Sequence, residues 1–230
     1  MSQPPLAPEV RAGQAVYTKA VLAVYDQVVL GLFCRFVWRC PSRHIRELYR
    51  QHLSANHLDA GVGTGYFLDK CAFPTARPRL ALLDLNPNSL EVAGRRLARY
   101  RPETYRANVL EPLAIPGPPF DSVGVNFLLH CLPGPLRAKA VALDHLKAVL
   151  NPGGVLFGST LLAGGVNRPL LAGGVKRAVP ARLLMRFFNA VGVFGNAGDD
   201  LDGLTAELAR RFSDVSVRVV GCLALFSGRV

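Results

Sequence analysis

Asn56-His57-Leu58-Asp59-Ala60-Gly61-Val62-Gly63-Thr64-Gly65 is the stretch that decides the fold. It begins as a short strand and breaks into three alternating glycines just before a new helical pattern. In open α/β sheets ligands sit at the carboxyl ends of strands, where a loop lacking Cβ atoms lets the backbone come close to them. A nucleotide-like ligand is therefore expected here. The spacing is D-x-G-x-G-x-G from Asp59. A dinucleotide fingerprint starting at Gly61 would need glycine at position 66, where Tyr66 stands, and no Gly-Lys-Ser/Thr follows to make a P-loop.

Outward from this loop, short apolar runs alternate with helical patterns, as in a mostly parallel sheet with crossover helices. Strands are expected at 57–59, 80–84, 105–109, 122–126 and 155–160, and helices at 40–53, 89–100 and 136–150. In the first of these helices Ile45, Leu48, Tyr49 and Leu53 take one face while Arg43, Arg46 and Arg50 take the other. Asn151-Pro152-Gly153-Gly154 stops the third helix and turns the chain into a strand. Residues 163–201 interrupt the rhythm with two Gly-Gly pairs, Pro169, Pro180 and an apolar cluster of Leu183, Leu184, Met185, Phe187 and Phe188. This segment reads either as a lid over an apolar ligand or as plain packing on the sheet. A helix through Leu204, Leu208 and Phe212 follows. Strands at 215–220 and 223–226, with only Gly221 and Cys222 between them, make a tight antiparallel hairpin.

At 230 residues, half of them apolar, the chain is long enough for one core-rich domain. The five cysteines are odd in number, lack a C-x-x-C pair and have no histidine at zinc spacing, so neither a disulfide frame nor a metal site is expected. They suit buried thiols in a reducing cytoplasm. The net charge of +11 comes from 22 arginines and five lysines against 16 acids. The arginines are spread in ones and twos, which favours solvated helix faces over a nucleic-acid surface. The proline-rich amino terminus lacks the layout of a secretory signal. Asp26 and Arg35 interrupt the apolar run 20–38, so no membrane span is expected; weak peripheral lipid contact stays open.

On these motifs the sequence resembles the class I S-adenosylmethionine-dependent methyltransferases. The resemblance rests on the glycine loop, on Leu80-Ala-Leu-Leu-Asp84-Leu-Asn86 with its acid 25 residues after Asp59, on Phe120-Asp-Ser-Val-Gly-Val-Asn126, and on Pro152-Gly153-Gly154. It implies an α/β, Rossmann-like, seven-stranded and mostly parallel sheet with a terminal antiparallel hairpin and helices on both faces. Within a single domain 1–230 it implies a helical cap at 1–53, a cofactor-binding core at 54–162, the lid-like insertion at 163–201, and a closing helix and hairpin at 202–230. The cofactor is then S-adenosyl-L-methionine, with S-adenosyl-L-homocysteine as product. By resemblance Asp59, Gly61, Gly63 and Gly65 hold its methionine part, and Asp84 accepts both ribose hydroxyls, as a two-oxygen acceptor can. Leu85 and Asn86 line the adenine edge. Asn108 and Val109 stand where many relatives carry an aspartate and an apolar residue, and Asn126 and Phe127 face cofactor and acceptor.

Methyl transfer asks mainly for alignment and exclusion of water. Tyr17, Tyr25, Trp38 and Phe127 are the aromatic candidates near a cationic sulfur, with Tyr25 the preferred match to the tyrosine that closes over the cofactor in relatives. His130, four residues past Asn126, is the candidate base. His57 reads as structural, and His44, His52 and His145 as helix-face residues. The expected acceptor is a small molecule, perceived as hydrophobic or natural-product-like, with a homodimer left open. An RNA or protein methyltransferase and a non-catalytic cofactor-binding subunit stand as alternatives. The absence of an Asn-Pro-Pro-aromatic box after the fourth strand lowers the RNA reading.

Overall fold

The computed structural model describes residues 18–163 and 179–230. Its centre is a seven-stranded sheet in the order β3-β2-β1-β4-β5-β7-β6. The strands are β1 (Asn56–Ala60), β2 (Arg79–Asp84), β3 (Glu103–Arg106), β4 (Phe120–Asn126), β5 (Leu150–Leu161), β6 (Ser213–Val220) and β7 (Leu223–Arg229). Strands β1 to β5 pair in parallel, while β7 runs antiparallel to both β5 and β6. The order reverses between β1 and β4, which opens a crevice at their carboxyl ends. The expected fold is therefore present, with local differences. Strand β3 is a short, half-exposed edge strand ending three residues before the expected 109, and β5 starts at Leu150, upstream of Pro152.

Alternation along the strands sends side chains to two cores. Leu58, Ala60, Ala81 and Leu83 face one cluster, and Leu80, Leu82, Phe157 and Leu161 face the other. Helices α5 (Leu136–Lys139), α6 (Val141–Lys147) and α8 (Leu201–Ala209) cover the first; the single helix expected at 136–150 is thus broken at Ala140. The second core is covered by α1 (Lys19–Val37), α2 (Arg43–His52), α4 (Pro87–Arg96) and α7 (Val179–Ala190), with the one-turn α3 (Tyr66–Asp69) following the glycine loop.

Helix α1 (Lys19–Val37) begins with normal α-helical turns and widens to i→i+5 hydrogen bonding over Asp26–Val37. It is long and apolar enough by composition to cross a membrane, with mean hydropathy 1.7. Leu22, Leu30 and Cys34 are buried against the domain, as is Trp38 at its end, while most of the helix is exposed. Asp26 fastens it further, accepting from Thr64 Oγ1 at 2.6 Å and pairing with Arg96 at 2.7 Å. Of the lid-like insertion, α7 lies within the described residues; both Gly-Gly pairs and Pro169 lie outside them. All five cysteines are free thiols, with Cys34, Cys40 and Cys222 buried and Cys71 and Cys131 only partly so, and burial pushes Cys34 and Cys40 up to about 12.

Candidate active site

The glycine loop leaves β1 and enters α3 with Gly61, Gly63 and Gly65 all in the left-handed region, at φ +72°, +55° and +71°. Two of these glycines also answer to neighbours. A Cβ on Gly61 would lie 3.1 Å from Leu128, and one on Gly65 would lie 3.1 Å from Leu97 and 3.2 Å from Ala93. A Cβ on Gly63 would meet no atom within 4 Å, so the backbone there is bared to open space. The loop forms one wall of a cleft enclosing about 1060 Å³, its mouth included.

Two carboxylates bracket this wall. Asp59, 3% exposed at the end of β1, receives the Tyr49 hydroxyl at 2.6 Å. Burial drives the Tyr49 hydroxyl well above its ordinary pKa, and the charge of Asp59 adds to the shift, so Tyr49 stays a proton donor to that carboxylate. The sequence pattern places Tyr49 on the buried face of α2, but the partnership with Asp59 joins separate elements and left no local signal. Tyr49→Phe is expected to cost about 1–3 kcal/mol of stability, because it strands a buried carboxylate oxygen. Urea unfolding reads this directly, and an unchanged midpoint would remove the hydrogen bond from the account.

Asp84 ends β2 and accepts from the amides of Asn86 at 2.9 Å and Gly63 at 3.4 Å. Burial pushes its pKa up to about 6, against the opposing pull of the Asn86, Gly63 and Leu85 amides. Leu85 lines the cleft beside it. Asn86 does not: its side chain caps α4 by accepting from the Asn88 amide at 2.9 Å. Ser89, one turn on, stands on the wall. Asn108 and Val109 both reach the wall, with Asn108 Oδ1 accepting from the Leu110 amide at 3.1 Å and Nδ2 donating to Glu111 at 3.0 Å.

At the end of β4, Asn126 is 6% exposed and accepts from Ser159 Oγ at 3.0 Å. Its Nδ2 is buried on the cleft wall, with the Tyr49 hydroxyl as its polar neighbour. Phe127 follows at φ +56°, an unusual conformation for a side chain of this size, and also lines the cleft. Beyond it Leu128, Cys131, Leu132 and Pro133 extend an apolar wall that the sequence reading missed. Tyr25 and Leu30 line the cleft from α1. Tyr17 lies outside the described residues, and Trp38 is buried against Phe194, with ring centroids 6.4 Å apart, away from the cleft.

His130 departs from expectation. It is 3% exposed and stands behind the wall, its ring edge-on to Phe127 at 5.9 Å and to Phe194 at 4.7 Å. Its Nδ1 faces the Leu161 amide at 3.4 Å, and burial, aided by Lys139, pushes its pKa down to about 3. A short helical turn at Leu129–Cys131 rotates it inward. His57 is fully buried, with Nδ1 2.8 Å from Ser122 Oγ, as a structural histidine should be.

The parts suit an adenosyl ligand. Bared backbone at Gly63, a carboxylate at the adjacent strand end and a buried amide donor at Asn126 offer acceptors and donors around one largely apolar cleft.

Residues 58–156 match the family model described as a methyltransferase domain. The chain is 44% identical over 214 residues to demethylluteothin O-methyltransferase of Streptomyces thioluteus, covering 93% of this chain and 89% of that protein. It is 38% identical over 225 residues to the physcion biosynthesis cluster O-methyltransferase of Aspergillus chevalieri, covering 97% and 96%. Among solved structures, the complex of DhpI with S-adenosylhomocysteine shares the fold at TM-score 0.64 and 18% identity, covering 96% of each chain. With near-complete alignment to these relatives added to the loop and sheet described above, the chain belongs to the class I S-adenosylmethionine-dependent methyltransferases that act on small molecules.

Proposed function

We propose that this enzyme methylates a hydroxyl oxygen on an apolar, natural-product-like small molecule. The observation that carries the reading is the apolar wall of Phe127, Leu128, Leu132 and Pro133 continuing directly from the polar cradle. The names of the two O-methyltransferase relatives support oxygen as the receiving atom.

S-adenosylmethionine, when bound, supplies a methyl group activated on a cationic sulfur. In this reading the ionised Asp84 accepts the ribose hydroxyls, while Leu85, Ser89, Asn108 and Val109 line the adenine end. The amides of the Gly61–Gly65 loop and the Asp59 carboxylate, held by Tyr49, receive the amino-acid end. Asn126 Nδ2 donates to whichever acceptor atom enters beside it. The faces of Tyr25 and Phe127 stabilise positive charge and keep water out. Such apolar acceptors also partition into lipid.

Labelled S-adenosylmethionine with a panel of phenolic and enolic acceptors tests the reading. Methyl ether formation supports it. Transfer to RNA or protein with the small acceptors left untouched would replace it, and binding of S-adenosylhomocysteine without transfer to any acceptor would favour a cofactor-binding subunit.

His130 supports the wall in this scheme and takes no proton; a phenolic or enolic acceptor gives its proton to solvent and reacts as the oxyanion, the O–CH3 bond forming as the S–CH3 bond breaks and S-adenosylhomocysteine leaves. His130→Gln is accordingly expected to hold kcat within about threefold, with the pH profile unmoved, whereas loss of a general base would cost roughly 100-fold or more. A loss of that size in a folded variant would restore the histidine as base.

A further inference from the structure

Two helices that bury one face in the second core leave an apolar stripe on the other. On α1 the stripe is Val24, Val28, Leu32 and Phe36; on α7 it is Val179, Leu183 and Phe187. Both repeat every four residues, so each makes a continuous line along its helix. Their buried faces, Leu30 and Cys34 on α1 and Ala181 and Met185 on α7, share one cluster. Phe194 sits between the helices, 6.4 Å from the ring of Trp38 and 4.8 Å from that of Phe188. The stripes therefore face away from a common core. Exposed phenylalanine at 62% (Phe36) and 57% (Phe187) is unusual on a solvated surface.

The charges beside the stripes are of one sign. Arg35 and Arg39 are exposed at the end of α1, and Arg182 and Arg186 are exposed along α7. The one acid on these two helices, Asp26, is turned inward to Thr64 and Arg96. Lys19 is the remaining cation and is held by Glu91 at 2.7 Å. Apolar stripes edged by arginine suit the boundary of a negatively charged lipid layer, where rings enter the acyl region and guanidinium groups meet headgroup phosphates. A net charge of +11 draws the molecule to such a surface.

We propose that the outer faces of α1 and α7 dock this enzyme on an anionic membrane surface. The inner face of α1 contributes Tyr25 and Leu30 to the cleft, so docking brings the cleft beside the phase in which apolar acceptors dissolve.

The test is flotation of the full chain with vesicles of phosphatidylcholine alone and of phosphatidylcholine mixed with phosphatidylglycerol. The protein is expected to float with the mixed vesicles, less so as salt is raised, and poorly with phosphatidylcholine alone. The double variant Phe36→Glu/Phe187→Glu is expected to lower the floated fraction at least about tenfold, since it removes two rings and adds repulsion. Its S-adenosylhomocysteine affinity should equal that of the wild type, which shows that the fold and the cofactor site are intact. Wild-type protein that stays at the bottom with mixed vesicles, or a variant that floats equally well, overturns the proposal. So does a wild-type dimer in light scattering that the double variant splits, because a second copy then occupies the stripes.

Discussion

Asp84→Ala is expected to weaken S-adenosylhomocysteine binding by about 1–3 kcal/mol, a factor of roughly 5 to 150, because it leaves ligand hydroxyls in a buried site without their charged acceptor. Calorimetry on the folded variant measures this, and unchanged affinity would retire the role. The pKa of about 6 adds a second signature. The ionised form is the one that accepts two hydroxyls, and its population falls as pH drops through that value. Wild-type affinity should hold above pH 6 and then decline by about tenfold per unit of further acidification. In Asp84→Asn that limb should flatten, since the titrating group is gone. Two backbone amides already aim at the carboxylate, so the site is organised before any ligand arrives.

The largest expected loss of stability lies elsewhere. Lys139 and Asp199 form an ion pair at 2.6 Å, with side chains 0% and 1% exposed. Burial pushes the lysine down and the aspartate up, and each is held charged by the other. Lys139 also donates to the Gly195 carbonyl at 2.9 Å, while the Asp199 carbonyl accepts from the Ala163 amide at 3.0 Å. The pair thereby pins 195–199 beneath the apolar wall, where the Gly195 amide meets the His130 carbonyl at 2.8 Å. Asp199→Ala should cost about 3–5 kcal/mol, because it leaves a buried ammonium unpaired. Lys139→Met/Asp199→Leu removes both charges and should recover most of that loss. Urea denaturation of the three proteins reads the cycle. A single variant losing less than about 1 kcal/mol would mean that water already reaches the pair.

What the sequence made legible was written in adjacent residues. The strand, its glycines and the following helix form one continuous signal, and Asp84 closes another, so loop and acid are legible in the sequence alone. The hairpin was equally local, with Gly221 at φ +59° making its turn. Partnerships across the fold were not legible. Tyr49 reads as one more apolar tooth of a helix until β1 brings Asp59 to it. Lys139 carries no local sign of a partner, because the break at Ala140 turns α5 toward a segment 60 residues away. Where His130 points was not legible either, because closeness in sequence to Asn126 says nothing about rotation, and one turn of tight helix sends its ring into the core. Strand β3 was displaced because a half-exposed edge strand carries weak alternation.

In the reading proposed above, fold and catalysis compete at Phe127. Its left-handed backbone carries a penalty of about 1 kcal/mol that glycine would escape, yet its ring belongs to the cleft. Laboratory selection for heat tolerance alone would pull this position toward glycine or asparagine, whereas selection for turnover would bring the aromatic back. The residue is thus a place where a hardier protein and a faster one part company.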